Sequence, residues 1–181
     1  VADRYRLHVG SSLVALAAIS APLSAQAMQV PNDAWRLVQP KQSSLVFGRD
    51  NSLIGEIGNE WRTSVALRGL PKYVPQAFVA IEDHRFYSHE GVDVVGIAAA
   101  IKDKLTGRGG RGASTITQLL VGNMHPDLVD RRDKSLGRKL REQAAALEME
   151  THYSKELILE AFLNQINFGH NWFGIESAAR H

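Results

Sequence analysis

The second half of the sequence is a succession of segments in which apolar residues recur at helical spacing, separated by residues that start or stop helices. Pro75 suits a first helical turn, Asp93 is a candidate N-cap, and Thr106 with Gly107 should stop a helix. The predicted helices are 75–83, 94–105, a short one that begins at Ser114 or Thr115, 133–152 and 154–166. The pattern therefore predicts a helical domain beyond residue 63.

Composition limits how much structure the chain can form. Its 181 residues are 44% hydrophobic and 22% charged, which suits one domain with a single core and is too little for two sizeable domains. The formal net charge of +2, from 21 basic and 19 acidic residues, gives no reason to expect a nucleic-acid partner. The absence of cysteine excludes disulfides and thiolate metal sites.

Residues 1–31 have the organisation of an export segment. Basic residues precede an uncharged stretch with the apolar centre LVALAAISAPL, Leu13 to Leu23, and AQA follows at Ala25 to Ala27. This order predicts a signal peptide. The whole uncharged stretch is also long enough to cross a bilayer, so an uncleaved membrane anchor is the second interpretation. Both interpretations place the chain from Trp35 onward outside the cytoplasm.

Residues 32–63 form a polar lead-in with one patch of alternating hydrophobicity. The segment SLVFGRDNSLIGEI, Ser44 to Ile57, places Asp50 and Asn51 between two apolar runs. Turn-forming residues between such runs predict a short β-hairpin.

Two carboxylates stand in dense, unlike motifs. Glu82 opens EDHRFYSHEG, which ends at Gly91, and Glu142 closes RKLRE, which begins at Arg138. The segment GASTITQ, which ends at Gln118, lies between them. An acid at the end of one helical run and a second acid on another helix suit acid/base chemistry at a sugar centre.

Helical spacing divides the segment 133–152 into two faces. The apolar face, expected to pack on the core, consists of Leu136, Leu140, Ala144 and Leu147. The opposite face consists of Lys134, Arg138, Arg141 and Glu142. Such a charged face is usually solvated, and Arg138 with Glu142 has the spacing of a simple helix ion pair. Three cations beside one acid also suit a pyrophosphate leaving group, so both interpretations stay open.

The segment STITQ, Ser114 to Gln118, also allows two interpretations. Thr115 and Gln118 have the spacing of a capping box. A helix N-terminus with hydroxyls and backbone amides is equally suited to bind a phosphate or pyrophosphate. No histidine or lysine base can be assigned to Ser114 from the sequence, which argues against a covalent serine nucleophile.

The last predicted helix, 154–166, has Ser154 as its N-cap. Its expected buried face consists of Leu157, Ile158, Ala161 and Phe162. Glu160 lies in the same helix, where a buried structural acid is favoured over a catalytic one.

Taken in order, these motifs resemble the peptidoglycan glycosyltransferases of glycosyltransferase family 51, found in monofunctional cell-wall polymerases and bifunctional penicillin-binding proteins. KELILEAFLN, Lys155 to Asn164, resembles the fourth family motif, and FGHNWFGIESAAR, Phe168 to Arg180, resembles the start of the fifth. The resemblance runs from about Ser44 to the last residue. It implies a mainly α, lysozyme-like glycosyltransferase domain over residues 64–181. That domain is expected to be incomplete at its C-terminus, because a Tyr-Phe-Gly-Lys element and more helix would follow in the family.

The resemblance implies polymerisation of glycan strands from lipid II by an inverting transfer that forms β-1,4 links and releases undecaprenyl pyrophosphate. Glu82 would be the general base that takes the proton of the acceptor 4-hydroxyl, and Glu142 would help to position the departing pyrophosphate. The implied substrate-binding residues are Asp83, Phe86, His89, Ser114, Thr115, Thr117, Gln118, Asn123, Lys134, Arg138 and Lys139.

A metal ion is expected from the resemblance and not from a side-chain cluster. His84, His89 and His125 lack the spacing of a zinc site. The family depends on Mg²⁺ or Mn²⁺, ions that prefer oxygen ligands, so one would lie near Glu142 together with pyrophosphate oxygens.

The implied partners are lipid II, the lipid-linked glycan chain, the membrane and other cell-wall synthesis proteins. The implied location is the cell envelope, on the outer, periplasmic face of the cytoplasmic membrane, with the chain either anchored or exported.

The sequence departs from the second family motif. The family usually has STITQQLxKN, whereas this chain has STITQLLVGN, so Leu119 replaces a glutamine and Gly122 replaces a lysine. That lysine would lie near a substrate phosphate, and Arg131, Arg132 or Lys134 could compensate for it. An active polymerase is the first hypothesis. A degenerate binding or scaffold protein, and a lysozyme-like hydrolase with water as the acceptor, are the alternatives.

Overall fold

The structure is a computed structural model that describes residues 33–58, 60–107, 112–127 and 132–180. The predicted export segment and most of the glycine run after Gly107 lie outside these residues. The elements are β1 (Ser44–Phe47), β2 (Leu53–Ile57), β3 (Trp61–Arg62), α1 (Tyr73–Glu82), α2 (Val94–Leu105), α3 (Ile116–Met124), α4 (Leu136–His152), α5 (Lys155–Gln165), β4 (Trp172–Phe173) and α6 (Ile175–Arg180). Helices dominate the described part of the chain, and the predicted mainly α class is confirmed.

The lead-in contains the predicted β-hairpin. β1 and β2 pair antiparallel, with Ser44 opposite Ile57. Asp50 and Asn51 form the turn between them, and Asn51 has a φ of 62°. Asparagine tolerates this left-handed conformation better than most residues do. The local turn chemistry therefore explains why the hairpin could be predicted.

Arg62, which is only 5% exposed, connects the rest of the lead-in to the helices. β3 pairs in parallel with β4. The guanidinium of Arg62 lies 4.7 Å from the centre of the Phe173 ring and donates hydrogen bonds to the carbonyl of Asn164 at 3.2 Å and to Oε1 of Gln165 at 2.9 Å. One buried cation thus joins the lead-in to the end of α5.

The core lies where α3 packs against α4 and α5. The buried apolar residues of this core are Ala34, Phe86, Ile116, Leu120, Val121, Ala145, Ala146, Met149, Ile158, Leu159, Phe162 and Leu163. α3 is enclosed on nearly all sides, because even its polar Thr117 and Gln118 are fully buried. The polar groups of α3 must therefore find partners inside the protein.

The expected core face of α4 is wrong. Leu136 and Leu147 are 67% and 47% exposed. The buried positions are Glu142, Ala145, Ala146 and Met149. These four positions recur at helical spacing. A prediction that assigns the large apolar residues to the core overlooks them, because two of the four are alanines and one is a glutamate. The reason is a close backbone approach, since a Cβ on Gly91 would lie 2.5 Å from the carbonyl oxygen of Ala146.

α5 follows the predicted N-cap, because the hydroxyl of Ser154 accepts a hydrogen bond from the amide of Leu157. Ile158 and Phe162 are buried as expected, but Leu157 is 42% exposed, so that part of the predicted face is wrong. Glu160 is half-buried and not buried as expected, and its Oε2 accepts a hydrogen bond from the amide of Leu67 at 2.7 Å.

α1 and α2 lie at the surface, with boundaries close to those predicted. α1 ends at Glu82, and α2 follows Asp93 at its N-cap position and ends before Thr106 and Gly107. Their large exposed apolar residues are Tyr73, Ile81, Val94, Val95, Ile101 and Leu105. Within the described ranges, the helices are too short or too polar to span a membrane.

Candidate active site

A cleft of about 610 Å³ opens beside the C-terminal end of α1. Glu82, the last residue of α1, lines this cleft with an exposed side chain, and Ser114 and Thr115 also line it. The Glu82 carboxylate forms no hydrogen bond or ion pair with another described residue. A solvated carboxylate in a cleft has its lone pairs available to accept a proton from a bound hydroxyl.

Asp83 and His89 form a buried pair next to Glu82. Nε2 of His89 lies 3.0 Å from Oδ2 of Asp83, and the two side chains are only 5% and 4% exposed. The same oxygen of Asp83 accepts a hydrogen bond from the amide of Ile116, the first residue of α3, at 3.0 Å. This pair therefore fixes the end of α1, and with it Glu82, relative to α3.

Gly91 makes a second connection to the start of α3. Its carbonyl accepts hydrogen bonds from Oγ1 of Thr115 at 2.6 Å and from Nε2 of Gln118 at 3.3 Å. Thr115 is the N-cap of α3 and accepts from the amide of Gln118, so the first half of the predicted capping box is present. The reciprocal half is absent because Oε1 of Gln118, which would accept from the amide of Thr115, accepts from Lys139 instead. The φ of 84° at Gly91 and its contact with α4 together require glycine.

Asp93 also lines the Glu82 cleft, and it pairs with Arg85. Nε of Arg85 lies 3.2 Å from the Asp93 carboxylate. Burial acts to raise the pKa of Asp93, but the hydrogen bond from the amide of Gly96 and the Arg85 guanidinium together hold that pKa below its usual value. Asp93 therefore stays ionised and serves to anchor the start of α2.

Glu142 lies in a dense cluster of charges. Its Oε2 accepts from Nη1 of Arg138 at 2.6 Å, and its Oε1 accepts from Nζ of Lys139 at 2.5 Å. The Glu142 side chain is 6% exposed, whereas those of Arg138 and Lys139 are 16% and 26% exposed. With both oxygens engaged by cations, Glu142 is suited to hold these cations and poorly placed to exchange protons with a substrate.

Lys139 joins this cluster to α3. Its ammonium donates to Oγ of Ser114 at 2.9 Å and to Oε1 of Gln118 at 2.6 Å, in addition to Glu142. These three contacts use all three ammonium protons. A lysine thus lies beside Ser114, which the sequence did not reveal, but the ammonium acts as a donor with a carboxylate partner. The Ser114–Lys139 contact therefore does not supply the base that a serine nucleophile needs.

The Glu82 cleft and the hollow beside the Glu142 cluster are neighbours that share two lining residues. Ser114 and Leu119 line both the cleft beside Glu82 and the smaller hollow of about 270 Å³ formed with Arg138, Lys139 and Glu142. The segment GASTITQ therefore lies between a hollow with an exposed acid and a hollow with a pair of cations.

The remaining predicted site residues lie elsewhere. Phe86 and Thr117 are fully buried, so they belong to the core beneath the site and not to its surface. Asn123 is half-buried and Lys134 is exposed, and neither lines the two hollows. Gly91 and Glu150 were not predicted as functional residues, and the side chain of Glu150 is buried and accepts a hydrogen bond from Thr117. The spacing of Glu150 from Glu142 and Ala146 along α4 was the available signal for its burial.

The two departures from the family motif lie in different places. Leu119 lines both hollows, where it presents an apolar side chain between Glu82 and the cations. Gly122 is buried inside α3 and lines neither hollow. Gly122 does not have a positive φ, and its backbone is that of an ordinary α-helix.

The residues near Glu142 do not form a ligand set for a metal ion. Across the described ranges, no group of three or more His, Cys, Asp or Glu side chains is placed to hold one. Both Glu142 oxygens are already bonded to cations. A divalent ion there would have to displace Lys139 or Arg138, or depend chiefly on substrate oxygens.

Comparisons with known proteins agree on one family. A family model described as Transglycosylase matches residues 50–181. Penicillin-binding protein 1F of Bacillus subtilis is 37% identical over 140 residues, which cover 77% of this chain and 19% of that protein. Penicillin-binding protein 1A of Haemophilus influenzae is 40% identical over 145 residues, covering 80% of this chain and 16% of that protein. A monofunctional glycosyltransferase of Staphylococcus epidermidis is 39% identical over 117 residues, covering 65% of this chain and 42% of that protein.

The chain thus spans about a sixth to two fifths of the length of these relatives. The matched residues include the Glu82 cleft, the start of α3 and the Glu142 cluster. The predicted fold class is confirmed, and the chain belongs to the transglycosylase family, whose lysozyme-like domain accounts for its mainly α fold.

Proposed function

We propose that the chain polymerises peptidoglycan glycan strands from lipid II, by an inverting transfer that forms β-1,4 links and releases undecaprenyl pyrophosphate. The observation that carries this proposal is a pair of adjacent hollows that share Ser114 and Leu119, one lined by the exposed carboxylate of Glu82 and the other by the cations Arg138 and Lys139. Relatives named penicillin-binding protein 1A and monofunctional glycosyltransferase support it.

Glu82 is the general base of the proposed reaction. The acceptor 4-hydroxyl attacks C1 of the lipid-linked chain on the face opposite the pyrophosphate. The new O–C1 bond forms as the C1–O bond to pyrophosphate breaks. The hydroxyl proton passes to the Glu82 carboxylate, and the bonding electron pair leaves with the pyrophosphate. A single displacement of this kind inverts C1.

The Glu142 cluster receives the leaving group. The side chains of Arg138 and Lys139 line the hollow and are 16% and 26% exposed. Their exposed parts can form charge-assisted contacts with the oxygens of a pyrophosphate. Glu142 orients both cations and offsets part of their charge, so the site can bind pyrophosphate and then release it.

The surface formed by α1 and α2 supports a location against the outer face of the cytoplasmic membrane. Ile81, Val94 and Leu105 are 81%, 72% and 82% exposed, and Lys102 and Lys104 lie on the same helix as Leu105. Apolar side chains with flanking lysines suit the boundary between acyl chains and lipid head groups. The lipid-linked substrates would then reach the Glu82 cleft without leaving the bilayer surface.

Dependence on Mg²⁺ or Mn²⁺ stays a prediction from the family, because the residues near Glu142 do not fit an ion. Turnover measured with and without a chelator, and then with each ion restored, tests it. Full turnover in the presence of the chelator would contradict the expectation of a metal.

The proposed function is tested with the purified full-length protein and two substrates. We expect polymer to form from lipid II and finished glycan strands to stay intact. Cleavage of finished strands would favour the lysozyme-like hydrolase. Binding of lipid II without either reaction would favour the degenerate binding or scaffold protein.

A further inference from the structure

Glu150 is a buried acid on α4 that no step of the proposed reaction uses. Its side chain is 4% exposed. One carboxylate oxygen accepts from Oγ1 of Thr117 at 2.5 Å, and the other pairs with Nζ of Lys155 at 2.6 Å. The Lys155 ammonium also lies 4.4 Å from the centre of the Phe86 ring. Three segments of the protein therefore meet at this carboxylate.

We propose that Glu150 is a positioning residue that sets the rotation of α3, and through it the placement of Ser114 and Gln118 against Lys139. The inference rests on the proposed function, because it assigns Glu150 to the same reaction. Glu150 itself does not touch either hollow.

Two bonds to α4 fix α3 from different directions. Gln118 is bonded to Lys139 and its neighbour Thr117 to Glu150. Adjacent helical residues point about 100° apart, and Lys139 and Glu150 lie about three turns apart on α4. A helix held at two such points cannot turn about its own axis without breaking one of them. Turning would move Ser114 and Leu119, which line the site.

The chemistry of the contact supports a geometric role. Burying an ionised pair gains little net stability over an apolar pair of similar volume. A hydrogen bond from Thr117 to a carboxylate is directional, whereas an apolar contact would let α3 slide. The arrangement also links Phe86, in the segment that follows Glu82, to the same carboxylate through Lys155.

The test compares variants that differ in one hydrogen bond. Thr117→Val keeps the shape of the side chain and removes only its bond to Glu150. Thr151→Val is the matched control, because Thr151 is exposed on α4, the helix of Glu150, and donates only to the carbonyl of Glu148. In lipid II polymerisation we expect Thr117→Val to lower kcat by about tenfold, and up to about a hundredfold, with little change in KM. The control should keep the parent kcat.

A second pair of variants separates positioning from stability. Both carry Lys155→Met, so that no lysine is left buried without its partner. Glu150→Gln retains an acceptor for Thr117, whereas Glu150→Leu does not. We expect the two double variants to have similar melting temperatures. The kcat of the Gln variant should be close to that of the parent, and the kcat of the Leu variant should be lower than that of the parent. Equal kcat values for the Gln and Leu variants, or for Thr117→Val and Thr151→Val, would overturn the positioning role.

Binding of inorganic pyrophosphate to the same proteins keeps this inference separate from the proposed function. If the parent does not polymerise lipid II, the proposed reaction fails. The positioning role is then judged by pyrophosphate affinity alone. Weaker binding in Thr117→Val than in Thr151→Val supports it, and equal binding overturns it.

Discussion

The two ends of the candidate site contain the same residue type in opposite environments. Glu82 is exposed at the end of α1, with no partner among the described residues. The Glu142 side chain, on α4, is 6% exposed, and each of its oxygens is bonded to a cation. A glutamate with available lone pairs can accept a proton, whereas a glutamate held by Arg138 and Lys139 can only organise charge. Environment, and not residue type, divides the work between these two acids.

The difference also has a structural cause. Glu82 stands on a surface helix and is positioned indirectly, by the bonds of the adjacent Asp83 to His89 and Ile116. Glu142 lies in the buried face of α4 and is positioned directly by its own contacts. Substitution of Glu82 should therefore affect chemistry alone, while substitution of Glu142 should affect both chemistry and folding.

The largest expected effect is at Glu82. Glu82→Gln keeps the shape of the side chain and removes the base, so the rate of lipid II polymerisation should fall by about a hundredfold to ten-thousandfold. The melting temperature should match that of the parent because the side chain is exposed. Turnover and thermal unfolding are measured on the same preparation. A variant that polymerises as fast as the parent would show that another group takes the proton.

Glu142→Gln should have a smaller effect on rate and a larger one on stability. Removing one partner of a fully buried ion pair costs about 3 to 5 kcal/mol. The partial exposure of Arg138 and Lys139 reduces the expected loss in free energy of unfolding to about 1 to 3 kcal/mol. Because the two cations lose their common partner, turnover should fall by about tenfold to a hundredfold, as expected for losing charge-assisted hydrogen bonds.

Glu148→Gln is the control for this experiment, because Glu148 is an exposed acid on the same helix, 53% accessible and paired only with His152. Thermal unfolding and turnover of the two variants are compared. If Glu142→Gln melts at the temperature of Glu148→Gln, the cluster contributes no stability and the contrast with Glu82 fails.

Local signals account for the parts of the fold that the sequence predicted. The hairpin turn at Asp50 and Asn51, the N-caps Thr115 and Ser154, and the stop at Gly107 depend on neighbours within a few residues. The face of α4 depends instead on what packs against it. Ala146 belongs to that buried face because the backbone of Gly91 approaches it closely, and the sequence of α4 contains no sign of this approach.

In the candidate site too, the sequence identified residues but not the contacts between distant segments. The motifs identified Glu82, Arg138, Lys139 and Glu142, but not how the side chains pair. Lys139 bonds Ser114 across 25 positions of sequence, and Thr117 bonds Glu150 across 33. Side-chain contacts at such separations depend on the crossing of α3 and α4, which periodicity within either helix does not determine.

The smallest expected effect concerns Gly122, where the family has a lysine. Gly122 lies inside α3 with ordinary helical backbone, so a side chain there carries no penalty from positive φ. It lies one turn beyond Gln118, whose Oε1 already binds the ammonium of Lys139. A lysine at position 122 would start from a buried backbone that lines neither hollow, so its stem would have to extend to reach the site. A charge-assisted hydrogen bond to a phosphate would favour binding, but burial of the stem opposes part of this gain. We therefore expect Gly122→Lys to improve turnover by about threefold to tenfold.

Gly122→Ala separates the charge from the change in backbone and volume. It adds a side chain at the same buried position without an ammonium, and it raises helix propensity by about 1 kcal/mol. Lipid II turnover and pyrophosphate affinity of the Lys and Ala variants are compared with those of the parent. If both variants behave alike, Lys139 and Arg138 already supply the charge that the family takes from its lysine. If the parent shows no turnover and Gly122→Lys restores it, the chain is a degenerate relative. In that case the Glu142 end of the site no longer binds the leaving group well, while the Glu82 end is intact.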